Sequence, residues 1–387
     1  MNCDVLVIGA SPSGIMAAIY AAKEGAEVFL LDKDMGEHFN HPANTFFQGM
    51  FSRTGQRLER EYVLHELEGM HIISPGSHCL QITAPGYFID RSKFDQMYIK
   101  RAEQAGVELL KGRALSSNLA DMGRRVKTDL GTIDAKVVID AEGVESTLAK
   151  KSHISSLKHP QDVAWALEAV VYLPGLGEEK FFEYWIGSMA PGWKATFSPG
   201  GGDRATLGVF VRRRGQNLQT FLNEFIKRFK KYKLSHYKNI GDLKIISQNH
   251  GGDPIATLPH QIVSDSLMVV GAAAGQSGMM YGMRAGEICG SVAAQAVQSG
   301  NVSKNNLSKY EQQWKREFYW EYRLGRASLE TLRLMSDEDI DSLTKGLIGK
   351  DLNFEGSLVR KSTSAISVLG PVLPKLVPNL VRRLIEG

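Results

Sequence analysis

The chain is poor in cysteine, with three in 387 residues at positions 3, 79 and 289 and no C-x-x-C pair. That spacing suggests neither a disulfide framework nor a zinc site, no metal is expected, and the compartment reads as reducing. Long apolar runs are missing as well: nothing approaches the roughly 18 consecutive apolar residues of a membrane span, and no charged leader precedes the first predicted strand. The expected location is the cytoplasm, with peripheral membrane contact as the only membrane role. Charge of one sign is scarce too, since 46 basic and 42 acidic residues leave +4. The basic excess sits at 212–214 and in IKRFKKYK at 226–233. Solvated faces are the expected reading of both clusters, and without a pattern of interleaved aromatics no nucleic-acid partner is expected. No internal repeat is evident. The length and a 43% hydrophobic content allow two or three domains with full cores.

What is present begins at the N-terminus. Residues 3–9 (CDVLVIG) are an apolar run, ASPSG follows, then an Ala-rich stretch, then EVFLL at 27–31 closing on Asp32. Strand, glycine turn, helix, strand and acid in that order build a dinucleotide site. Gly9 ends the strand where a side chain would clash, and Gly14 lets a helix over 13–23 pack close to it. The free amides and positive dipole end of that helix face an anion. Asp32 stands where a carboxylate accepts two ribose hydroxyls. Ser11 replaces the central glycine of G-x-G-x-x-G and offers a small hydroxyl.

Beyond Asp32, residues 33–56 lack periodicity and read as a long loop. Residues 86–142 then give a strand (87–90), a helix (91–105), a strand (107–111), a hairpin and the strand 136–140, which resume the nucleotide domain. From 164 to 211 short alternating runs predict an antiparallel sheet half exposed on one face. A helix over 218–231 follows, then the buried strand SLMVVG at 266–271 and a helix over 282–298. After 303 the chain is helical, with apolar spacing over 310–334 and Ser336 capping a further helix.

Three segments in order carry a resemblance: GYFIDRSKFD at 86–95, VVIDAEGVES at 137–146 and LMVVGAAAGQSGMMYGMRAG at 267–286. With the N-terminal turn they resemble the FAD-dependent fold of para-hydroxybenzoate hydroxylase. Within it, MAPGWKATFSPGGGDRATLG at 189–208 and the helical tail (YEQQWKREF, LMSDEDIDSL) resemble the geranylgeranyl reductase family. The resemblance implies an α/β chain: a Rossmann-like FAD-binding domain with a parallel sheet (1–154 and 251–300), an antiparallel-sheet substrate domain (155–250) and a helical C-terminal region (301–387). It also implies an FAD-dependent oxidoreductase that reduces carbon-carbon double bonds of an isoprenoid lipid by hydride transfer from reduced flavin N5. The substrate partner would be an apolar isoprenoid or lipid. No second glycine motif for NAD(P)H is visible, so an external electron donor, ferredoxin-like or NAD(P)H, is called for.

Carried over by position, Gly9, Ser11, Pro12, Ser13 and Gly14 face the FAD pyrophosphate, Asp32 and Lys33 the adenosine ribose, and Arg91 the pyrophosphate or ribityl region, as a guanidinium fork suits. Ala141 and Gly143 line the adenine side. Gly271, Ala272, Gly275, Gly282 and Met283 pass under the ribityl chain and ring, where a helix N-terminus stabilises a reduced, anionic flavin. Ala272 stands where the family carries an aspartate, and Lys194, Thr196 and Ser198 where it carries Tyr-x-Trp-x-Phe before the proline, Pro199.

Phe46, Phe47, Trp193, Phe197 and Pro199 are the candidate substrate lining, with ordinary core packing as the other reading of the aromatics. Tyr281 beside the flavin turn is a candidate proton donor or a packing group; His41 beside Pro42 is a second candidate or a loop histidine. The segment 357–387 has five basic residues and one acid among apolar ones, with prolines at 371, 374 and 378. It suits either a membrane interface or docking of short turns on the body. Two other functions stay open on the same fold: a flavin monooxygenase or halogenase, and a non-catalytic prenyl-lipid or flavin-binding protein.

Overall fold

In a computed structural model, the described residues are 1–35, 44–121 and 123–349. His41 and the segment 357–387 lie outside them. The fold rests on two eight-stranded sheets. In the first, Asn2–Ile8 is central because, apart from Asn2 and the half-exposed Asp4, its positions are apolar and buried, the pattern of a parallel strand. It pairs in parallel with Val28–Asp32 on one side, Val5 opposite Val28, and with Gly131–Asp140 on the other, Val5 opposite Val137. Glu108–Lys111 continues one edge and Leu267–Val269 the other, both in parallel. Helices Pro12–Lys23 and Met279–Gln298 pack on this sheet and on each other.

Their approach is set by missing side chains. A β-carbon on Gly286 would lie 2.2 Å from the Ser13 carbonyl oxygen, and one on Gly290 would lie 2.1 Å from that of Ala17. These two glycines, one helical turn apart, let the helices meet backbone to backbone. Sequence positions 273 apart are thereby joined along the first helix.

The second sheet runs in the order Lys244–Asp253, Ala164–Tyr172, Arg204–Arg212, Lys194–Pro199, Phe181–Trp185, Val63–Ile73, Cys79–Ile89, Thr45–Phe47. Its pairings are antiparallel except between Phe181–Trp185 and Val63–Ile73. The stretch expected as loop up to residue 56 contains the strand Thr45–Phe47 and the short helix Gln48–Phe51. The strand expected at 87–90 is the end of an eleven-residue strand, Cys79–Ile89, that belongs to this second sheet rather than to the nucleotide-binding one. Its partner Val63–Ile73 carries Glu66 and Glu68 at exposed positions and histidines at a buried and a half-exposed one, which hid the strand from an apolar reading.

Leu167, Ala169, Val171, Phe197, Leu207 and Val209 form the outer side of the second sheet and pack under helix Leu218–Lys233. Glu168, Thr196, Gly208 and Phe210 take the opposite, inner side, as the two-residue strand period requires. Helix Lys304–Leu332 follows, and Ser336 caps Asp337–Leu347 through a reciprocal capping box with Asp339, as the sequence anticipated.

Candidate functional site

The turn after the first strand is a cradle with no room for side chains. Gly9 has φ +103°, and a β-carbon there would lie 2.6 Å from the Ala141 carbonyl oxygen; on Gly14 it would lie 2.0 Å from that of Gly9. Ser11 caps the helix: its hydroxyl accepts from Gly14 N at 3.3 Å and lies 3.1 Å from the Ala141 carbonyl, to which it donates. The serine that replaces the central glycine therefore ties the first turn to the third strand. Pro12 opens the helix, where its missing N–H costs nothing.

Asp32 is held by its own strand end. One carboxylate oxygen accepts from Ala10 N at 2.9 Å and the other from Asp34 N and Met35 N, both at 2.8 Å. Lys33 beside it is exposed and paired with Asp34 at 3.7 Å. Across the sheet Asp140 is fully buried, accepting from Ser146 Oγ at 2.5 Å and Ala149 N at 3.0 Å. Burial and the nearby Glu142 push its carboxyl up to about 6. The Ala141 and Gly143 turn is thus braced from below, and Gly143, at φ +87°, faces open space.

The late segment closes on the same turn. A β-carbon on Gly271, at φ +71°, would lie 2.1 Å from Ser13 Oγ, and one on Gly282 would lie 3.5 Å from Ser13 Cβ. Gly271 N donates to Gln276 Oε1 at 2.7 Å, Gln276 Nε2 donates to Tyr310 OH, and that hydroxyl donates to the Val269 carbonyl. Ala272 lies in the short Gly271–Ala274 helix, Gly275 ends it at φ +75°, and Met283 is buried in the core. Gly9, Ser11, Pro12, Ser13, Gly14, Ala141, Gly271 and Gly282 converge on one place.

Arg91 opens helix Arg91–Gln104 and lies 2.8 Å from Asp95 through Nε. Asp95 is buried, its Oδ1 has no hydrogen-bond partner, and burial raises its carboxyl although the Arg91 guanidinium pulls the other way. Asp95 Oδ1 is an acceptor left open beside Arg91, and the glycine cradle presents a helix N-terminus. The residues present fit FAD.

Tyr281 turns toward helix Lys304–Leu332. Its hydroxyl donates to Glu321, which Arg53 also pairs at 2.8 Å, and the Phe318 and Tyr322 rings stand edge-on at 5.5 Å. Burial and the Glu321 charge push its phenol up.

The aromatic candidates separate. Phe46 is buried in the first core, stacked on Phe51 at 5.0 Å, whereas Phe47 meets Phe182 at 6.0 Å. Phe197 is fully buried against Phe229 on the outer side of the second sheet, away from Phe47. Trp193 lines a cavity of about 390 Å³ with Ile186, Pro191, Leu329, Leu332, Arg333 and Ile340. Pro199 ends its strand opposite Ala205 and is buried.

Several residues escaped sequence reasoning. Glu168, buried on the inner side with Lys194 nearby, has its carboxyl pushed up to about 8 by burial, which Lys194 opposes. Its side chain lies over Gly208, where a β-carbon would meet Glu168 Cγ at 2.8 Å. Lys194 Nζ sits 4.4 Å from the Tyr184 ring centre and 5.0 Å from that of Phe210. Arg212 and Lys233, read as parts of solvated basic clusters, are buried: Arg212 pairs with Asp162 and Glu330, and Lys233 with Glu179 and Glu183. Their carboxylate partners are distant in sequence, so nothing local announced them.

A glycine cradle, an acid at the end of the neighbouring strand and a late glycine turn on one largely parallel sheet, beside a second, largely antiparallel one, define a flavoprotein; the chain is an FAD-dependent oxidoreductase. Residues 2–230 match the FAD binding domain family. Digeranylgeranylglycerophospholipid reductase 1 of Methanothermobacter thermautotrophicus is 30% identical over 97% of both chains, and the corresponding reductase of Methanocaldococcus jannaschii is 30% identical over 98% of both. The chain belongs to the geranylgeranyl reductase family. A geranylgeranyl bacteriochlorophyll reductase-like protein of Thermoplasma acidophilum shares the fold at a TM-score of 0.87, with 22% identity over 99% of both chains. A flavin-dependent brominase is more distant, with a TM-score of 0.64 and 17% identity over 99% of this chain and 93% of its own. That likeness concerns the fold alone.

Proposed function

We propose that this protein reduces carbon-carbon double bonds in the isoprenoid chains of a lipid. The near full-length identity to two archaeal reductases named for a digeranylgeranyl phospholipid carries the reading. Gly9, Ser13, Gly14 and Gly271 hold the FAD pyrophosphate, Asp32 the ribose, and Arg91 the central part of the cofactor. Bound FAD supplies, once reduced, the electron pair and hydrogen that saturate the bond.

The protein's own work is orientation and exclusion of water. The inner side of the second sheet offers Phe47, Phe182, Tyr184 and Phe210 as apolar surface. Helix Lys304–Leu332 spans from the flavin turn, where Tyr322 OH donates to the Ser277 carbonyl at 3.0 Å, to the cavity at Leu329 and Arg333. Eleven residues of helical rise cover about 16 Å, enough to lodge an extended chain. His41 and Tyr281 remain candidates for delivering the proton, Tyr281 only after its hydroxyl leaves Glu321. The electron donor is an external reductant, and any contact with a membrane is peripheral.

The test is anaerobic reduction of the FAD-loaded protein with dithionite, followed by addition of an unsaturated archaeal-type phospholipid. Flavin reoxidation together with mass spectrometric saturation of the lipid is the expected result. Reoxidation only on admission of air, with the lipid unchanged, would overturn the reading.

A further inference from the structure

The cavity lined by Trp193 and Arg333 has a charge imbalance beside it. Four guanidiniums, of Arg212, Arg213, Arg326 and Arg333, share two carboxylates, Asp162 and Glu330. The distances are 2.5 Å for Arg212 to Asp162, 2.7 Å for Arg212 to Glu330, 3.1 Å for Arg326 to Asp162 and 3.0 Å for Arg333 to Glu330, with Arg213 3.9 Å from Asp162. Among the described residues this cluster is two negative charges short. Its more deeply buried members, Arg212 and Arg326, are matched by the two carboxylates, so the excess falls on Arg213 and Arg333 at the rim.

The imbalance opens into the cavity at one point. Arg333 is one-third exposed and lines it, and burial together with the positive charge of Arg212 lowers its pKa. The other ionisable lining group, Asp337, already accepts from Ser188 N at 2.9 Å and Ser188 Oγ at 2.7 Å. Trp193 brings an indole N–H that is buried and has no partner, and the Arg212 Nε beneath Gly192 has none either. Ile186, Leu329, Leu332 and Ile340 make the remaining wall apolar. A pocket with apolar walls and one undercompensated guanidinium fits an amphipathic anion.

We infer that this cavity binds the oxyanion end of the substrate, a phosphate or carboxylate on an apolar chain, with Arg333 as its donor. The assignment rests on the reductase reading for what the chain is, but the binding itself does not. Geometry links the two. Arg212, Ala164 and Asp253 lie in one row across three paired strands, and Asp253 accepts from Ser277 in the flavin turn. A head anchored at Arg333 therefore leaves its chain running along helix Lys304–Leu332 toward that turn.

The experiment is calorimetric binding of dodecyl phosphate, laurate and dodecanol to the FAD-loaded full chain. Dodecyl phosphate should bind roughly tenfold or more tightly than dodecanol, as a charge-assisted hydrogen bond implies, and weaken with added salt. Arg333→Gln should remove that advantage while dodecanol binding stays; Arg333→Lys should restore part of it. Laurate tighter than the phosphate would assign the site to carboxylates, and the reverse order to phosphates; either supports an oxyanion subsite. Equal affinity of phosphate and alcohol, or an unchanged phosphate affinity in Arg333→Gln with native thermal melting, overturns the inference. Failure of the reductase reading is read separately, in the lipid-saturation assay, which needs no cavity variant.

Discussion

The cofactor cradle and the inner side of the second sheet are held by opposite means. In the cradle, function depends on side chains that are absent: Gly9, Gly14, Gly271 and Gly286 allow backbones to touch, and Asp32 is fixed by three amides from its own neighbourhood. On the second sheet, charged side chains stand on apolar strands: Glu168 and Arg212 are buried and Lys194 half-buried, with partners drawn from other elements. The first arrangement is governed by steric exclusion, which is short-ranged and unforgiving. The second is governed by electrostatics in a poorly solvated setting, where unpaired charge is costly.

The largest effect should fall on the second region. Arg212→Met leaves Asp162 and Glu330 buried with less compensation and should cost about 3–5 kcal/mol of stability in urea unfolding. A loss below about 1 kcal/mol would show that the network is not energetically coupled to the fold. Gly14→Val tests the cradle by sterics alone. It should cost about 1–3 kcal/mol from overpacking and purify without flavin absorbance. Retention of bound yellow flavin in this variant would break the contrast between the regions.

Smaller effects sharpen it. Asp32→Asn removes the charge and turns an amide NH2 onto at least one of the three backbone donors, so FAD affinity should drop about tenfold in equilibrium dialysis, with a modest fall in melting of the cofactor-free protein. Glu168 gives the mildest and most specific signal. Its carboxyl ordinarily titrates near 4.5 and is raised to about 8 in the fold, so the folded state holds the proton more tightly. Its contribution is complete below about pH 4.5 and is lost as pH rises toward about 8. Stability should fall over that window, and Glu168→Gln should flatten the fall; an identical slope in both proteins would place the carboxyl in contact with water.

Legibility followed the same division. Gly9, Ser11, Gly14 and Asp32 occupy one contiguous stretch, and a strand, a turn and a helix in register are visible in order and spacing. The long amphipathic helix Lys304–Leu332 and the Ser336 cap were equally local. Arg212 and Lys233 were noticed as basic residues, yet their burial was not, because Asp162, Glu330, Glu179 and Glu183 come from elsewhere in the chain. Phe197 was expected to line substrate and instead packs on Phe229. The strand period puts it opposite Thr196, so the assignment turned on which side of the sheet helix Leu218–Lys233 covers.

The sequence by itself determined the cofactor, the parallel sheet that presents it and the family, because these depend on close-packed local geometry that only certain residues permit. Tertiary structure alone decided which basic residues are buried, which sheet takes the strands between 45 and 89, and where a cavity with unneutralised charge opens. Those outcomes depend on pairing between distant segments. Burial and charge compensation belong to the assembled chain and have no signature in any single stretch of it.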